Sequence, residues 1–222
     1  MVQQINAVVG QRGRLTAKEV VLSLPLSGLV LVNDGDVVVR TTDGKSVKSV
    51  VGAIALRDSV FADDNTAAVT RLQSSDLGTV DYVTIFYGTN DFQGLIPIGT
   101  DTDATGDTFK GAINLSLDKL LTKHPNLKIL LVTPIWRARQ VSGDSLESDN
   151  NPNSLGLYLR DYVEAIKDMG KKYHIPVLDL YKTSGISKYT KNLYLSADEL
   201  HPNTVGYTHL ANLIAAKLSS TY

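Results

Sequence analysis

Two polar clusters in this sequence combine residue types that acyl-transfer chemistry uses. Gly88-Thr89-Asn90-Asp91 follows directly on the apolar run VDYVTIFY, and Asp198-Glu199-Leu200-His201-Pro202 directly precedes the last helical pattern. Asp198 and His201 are three residues apart, so the carboxylate can reach imidazole Nδ1 across one turn. There it holds the ring in one tautomer and stabilises the imidazolium. Asn90 carries a side-chain NH2, a neutral donor suited to a developing oxyanion. Each residue also has a plain structural use: Asn and Asp after a strand form turns, and a His before a helix serves as a cap or surface residue.

The elements that must position these clusters follow from periodicity. VDYVTIFY (80–87) is a β-branched and aromatic run and predicts a strand. Residues 107–125 place Phe109, Ile113, Leu117 and Leu120 at helical spacing, ended by Pro125 and Asn126. LKILLVTPI (127–135) is almost continuously apolar, as a strand buried on both faces of a parallel sheet requires. Residues 154–174 form a second amphipathic helical pattern, IPVLDLY (175–181) a third strand, and residues 201–218 a final helix with Asn203 or Thr204 as its cap. Alternating strand and helix implies parallel pairing with right-handed crossovers. In such a sheet both polar clusters fall at the carboxyl end, where open α/β folds bind ligands. The first 48 residues hold Pro25 and several Gly and Asp breakers. They read as an atypical segment, either a first-strand region or a small β-rich appendage, ahead of an α/β domain over 49–222. VSGDSLESDNNPN (141–153) reads as the least ordered loop.

Composition narrows the function classes. The chain has 222 residues, 43% hydrophobic and 20% charged, with a formal net charge of -1. That balance gives no reason to expect nucleic acid or an anionic membrane as partner. No cysteine is present, which excludes disulfides, thiol catalysis and Cys-based zinc sites. No pair of histidines has zinc-like spacing, and no cofactor is expected. No apolar run is long enough to span a bilayer, and the N-terminus has no evident secretory signal. Compartment and oligomeric state are not specified by these features. His124, His174 and His209 read as structural or solvated. Asp179 reads as a residue that caps or hydrogen-bonds within the sheet, Tyr87 and Phe92 as core or pocket walls, and Trp136 as either cleft wall or plain packing.

The strand-GxND and DxxH blocks, in that order, are similar to those of the SGNH hydrolases, the GDSL-type esterases. The resemblance runs from about Ser49 to the C-terminus. Gly88-Thr89-Asn90-Asp91 matches the GxND block and Asp198-Glu199-Leu200-His201 the DxxH block, while Gly52 in SVVGAIALRD resembles the glycine of the second block. YGTNDF, TPIWR, NSLGLYLRDYVEAIK and IPVLDLY also resemble SGNH domains of Gram-positive bacteria and their phages, which leaves a cytoplasmic or a virion or cell-surface setting open. The resemblance implies a flavodoxin-like three-layer α/β/α sandwich with a mainly parallel sheet. It implies a serine attacking an acyl or acetyl ester, often of an O-acetylated carbohydrate. His201 takes the serine's proton, Asp198 orients His201, and Asn90, Gly52 and the serine's own N–H bind the oxyanion. A glycan-binding module that has lost catalysis is the alternative.

The serine itself departs from the pattern. The family carries it in a Gly-Asp-Ser turn after the first strand, whereas the Gly-Asp-Ser of this chain is Gly143-Asp144-Ser145, between the other blocks. That match is expected to lie too far from His201 to serve. Upstream, VVGQRG puts Arg12 at the serine's place, LVNDGDVVV puts Val37 there, and EVVLSLPLSG offers Ser23 without the Gly-Asp. Without a hydroxyl beside His201 the remaining groups can polarise a carbonyl and hold a base, but no acyl-enzyme can form.

Overall fold

A computed structural model describes residues 82–222, apart from the side chains of Lys119, Lys123 and Gln140, and in residues 1–81 the backbones of six strands. Those strands are β1 (Val8–Gly10), β2 (Arg14–Thr16), β3 (Glu19–Val20), β4 (Leu26–Val32), β5 (Asp36–Thr41) and β6 (Ser46–Val51). Then come β7 (Tyr82–Phe86), α1 (Thr89–Gln93), α2 (Phe109–Lys123), β8 (Lys128–Val132), β9 (Ala138–Val141), β10 (Asp144–Glu147) and α3 (Leu159–Tyr173). The chain closes with β11 (Val177–Leu178), α4 (Leu180–Thr183), α5 (Lys191–Tyr194) and α6 (Thr204–Thr221).

The main sheet has seven strands in the order β11-β8-β7-β6-β5-β4-β3. β6, β7, β8 and β11 run parallel, and β3 to β6 pair antiparallel at the other edge. Alternate residues of β8 serve opposite faces. Leu130 and Val132 pack with Leu180, Leu210 and Leu218 of α4 and α6, and Ile129 and Leu131 pack with Phe109, Ile113, Leu159 and Ile166 of α2 and α3. This double burial is why the run reads as unbroken apolar sequence. The result is a three-layer α/β/α sandwich of flavodoxin-like kind.

The helices begin on local signals. The Thr108 hydroxyl accepts the Gly111 N–H at 3.1 Å, and the Asn203 side-chain oxygen Oδ1 accepts the Gly206 N–H at 2.9 Å, each satisfying a donor that the first turn leaves open. Asp161 reaches back to the Tyr158 N–H at 2.7 Å.

Two expected elements differ. The third strand stops at Leu178, because the Asp179 carboxylate turns to accept the Lys182 N–H at 3.1 Å and the Thr133 hydroxyl at 3.3 Å, starting α4. The supposed loop after TPIWR is an antiparallel hairpin, β9 paired with β10. Its two turn residues, Ser142 and Gly143, have φ of 52° and 91°, the left-handed pair that a tight hairpin turn uses. Polar composition hid the alternation there.

Candidate active site

The carboxyl ends of the parallel strands lie level. Val51 of β6 is in register with Phe86 of β7, Phe86 with Val132 of β8, and Val132 with Leu178 of β11. The chain leaves β7 through Gly88, whose φ is 109°, a conformation that favours glycine. Space demands glycine as well: a Cβ there would come within 2.8 Å of Pro134 Cγ. Asp91 is buried, and its carboxylate accepts the Gly88 N–H at 3.2 Å. The turn is therefore tied from inside, and Asn90 is carried outward. Asn90 is exposed, and its amide makes no hydrogen bond among the described residues.

The second cluster is built on a bridge between Leu195 and Pro202. Within it, His201 Nδ1 lies 2.6 Å from Asp198 Oδ2. Asp198 Oδ1 accepts the backbone N–H groups of Leu200 and His201, both at 3.0 Å. Partial burial pushes the Asp198 carboxyl up, and the hydrogen bonds from the His201 ring and these amides outweigh it, so the group sits below the ordinary 3.8. It stays ionised at neutral pH and fixes the ring with Nε2 as the remaining nitrogen. The His201 side chain is 59% exposed.

The two clusters meet one segment, the residues after β8. Arg137 Nη2 donates to Gln93 Oε1 of α1 at 3.4 Å, and the Ala138 N–H donates to the Glu199 carbonyl at 2.9 Å. No hydrogen bond joins Asn90 to His201 among the described residues. Gly52, Arg12 and Ser23 lie outside the described residues, and Val37 is described only as β5 backbone. Ser145 reaches the DELH block rather than standing clear of it. Its hydroxyl donates to Glu199 and accepts from Lys191 Nζ at 3.1 Å, and no hydrogen bond joins it to His201. Glu199 in turn pairs with Lys191 at 2.5 Å and holds a φ of 57°. Tyr87, Phe92 and Trp136 are core residues, at 3%, 8% and 4% exposure.

Sequence reading passed over this Ser145–Lys191–Glu199 network and gave no role to Arg137, whose signal was a guanidinium close behind a continuous apolar run. Among the described residues no three His, Asp or Glu side chains are grouped to hold a metal ion, and no helix is long and apolar enough to cross a membrane.

Comparison with known proteins agrees with this architecture. The family model described as GDSL-like Lipase/Acylhydrolase matches residues 30–209. One crystal structure is 33% identical with a TM-score of 0.62, over 72% of this chain and 73% of its own. A protein from Lactobacillus plantarum is 28% identical with a TM-score of 0.61, over 72% of this chain and 76% of its own. A possible lipase from Chitinophaga pinensis shares the fold at 19% identity and a TM-score of 0.54, over 76% and 88%. Among curated proteins no match is found.

Proposed function

The chain belongs to the GDSL-like lipase/acylhydrolase family, a family of ester hydrolases, and from that premise we propose that it cleaves acyl or acetyl esters through a serine nucleophile, with O-acetylated carbohydrate as the substrate class. His201 Nε2 takes the serine proton as the oxygen attacks the ester carbonyl. Asn90, with backbone N–H groups at Gly52 and the serine, receives the charge that develops on the carbonyl oxygen, while Gly88 allows the turn that presents Asn90. The tetrahedral adduct collapses, the C–O bond to the alcohol breaks, and the imidazolium returns the proton to the leaving oxygen. Water then hydrolyses the acyl-serine with His201 again as base. The observation that carries this reading is the Asp198–His201 contact of 2.6 Å, on the edge of the sheet that also bears Asn90.

The test is hydrolysis of 4-nitrophenyl acetate by the folded protein and by His201→Ala. Turnover above a buffer blank that disappears in the variant supports the reading, and no turnover by correctly folded protein removes it. The position of the Gly-Asp-Ser at 143–145 favours a second reading, a glycan-binding module without catalysis. Labelling with a fluorophosphonate separates the two, and a labelled peptide names the nucleophile. Ser23 is the upstream serine to look for.

A further inference from the structure

Arg137 is the most deeply buried cation among the described residues, 3% exposed. Lys110, also buried, is answered by Asp101 at 2.6 Å and Asp168 at 3.2 Å. Among the described residues Arg137 has no such answer. Its guanidinium lies 5.1 Å from the Phe92 ring centre, and its one side-chain hydrogen bond to them is the long contact to Gln93. Nε and Nη1 are buried without a hydrogen-bond partner, and no carboxylate among the described residues pairs with the group. Burial, with Arg139 nearby, lowers its pKa to about 10, so it remains charged at neutral pH. A buried cation without a counter-ion is costly unless something supplies the opposite charge.

Arg137 also walls a groove of about 210 Å³, shared with Phe92, Gln93, Arg139, Ser148 and Asn153. Among the described residues no Asp or Glu lines it. The groove adjoins both halves of the site: Gln93 stands three residues beyond Asn90, and Ala138 is bonded to Glu199, two residues before His201. We propose that this groove receives a carboxylate on the ester substrate, with Arg137 as its counter-ion, so that acidic esters are preferred to neutral ones. The planar guanidinium of Arg137 balances the single charge of a planar carboxylate. The assignment rests on the ester-hydrolase reading for its substrate and on the groove alone for its binding.

The test compares kcat/KM for the mono-4-nitrophenyl ester of adipate with that for 4-nitrophenyl hexanoate, a neutral ester of the same chain length. A charge-assisted contact predicts a preference of about 10- to 100-fold for the acidic ester, expressed mainly in KM. In Arg137→Met that ratio falls toward one. Arg139→Glu, at an exposed lining position, places a carboxylate beside the groove and lowers the ratio at least tenfold, which keeps the test available if the buried variant does not fold. A wild-type ratio near one, or an unchanged ratio in the folded variants, overturns the proposal. Calorimetry with glucuronate against glucose gives a readout free of catalysis. Glucuronate binding that Arg139→Glu abolishes, without any ester turnover, removes the hydrolase reading and supports the groove. Turnover with neither the preference nor glucuronate binding does the reverse. Inorganic phosphate binding as well as glucuronate overturns the carboxylate assignment.

Discussion

Asp91 and Asp198 each sit in a four-residue polar block at the carboxyl edge of one sheet, and they do opposite work. Asp91 is 4% exposed and turns its carboxylate inward to the Gly88 N–H. Asp198 has a side chain 48% exposed and spends its carboxylate on an imidazole and two amides of its own turn. The first carboxyl group fixes a backbone so that its neighbour Asn90 projects outward. The second fixes a ring. Residue type and local turn chemistry are nearly the same, so the division into a carboxyl group that ties a backbone and one that holds an exposed ring comes from depth in the fold.

The largest effect should come from the exposed block. His201→Ala is expected to lower ester turnover by about a thousandfold or more with the thermal transition nearly unchanged, read by 4-nitrophenyl acetate hydrolysis beside circular dichroism. Asn90→Ala should cost about 10²- to 10³-fold in kcat, the scale of one oxyanion donor. A loss confined to KM would instead make Asn90 a ground-state contact. The buried block should answer in stability. Gly88→Ala forces a Cβ onto φ 109° against Pro134, and Asp91→Ala strands a buried N–H. Each should cost about 1–3 kcal/mol in urea unfolding, and an Asp91→Ala protein of wild-type stability would erase the contrast. The smallest effect concerns pH. The folded Asp198 carboxyl lies below its unfolded value, so its contribution to stability is present above that value and is lost as pH falls through the folded one. The Tm deficit of Asp198→Asn should therefore be present at neutral pH and shrink as pH falls below 3.8. A deficit that grew on acidification would mean that the pair does not favour the ionised form.

Much of this was readable from residue order. The strand at Tyr82–Phe86, the helices at Phe109–Lys123 and Leu159–Tyr173, and the doubly buried β8 follow from apolar period. The Asp198–His201 contact follows from a three-residue spacing. What escaped had no periodic signal: the β9–β10 hairpin, whose register rests on two left-handed turn residues, and the early end of β11, set by which backbone groups the Asp179 carboxylate found.

By itself the sequence determined the parallel α/β core and the local turns, because these depend on the spacing of apolar side chains and on carboxylates reaching amides within three or four residues. Only the tertiary structure decided which of two similar aspartates is buried, that Ser145 lies against Glu199, and that Arg137 is buried along a groove with no carboxylate paired to it among the described residues. Burial and pairing between residues tens of positions apart are set by how the layers close over one another, and no local spacing encodes that.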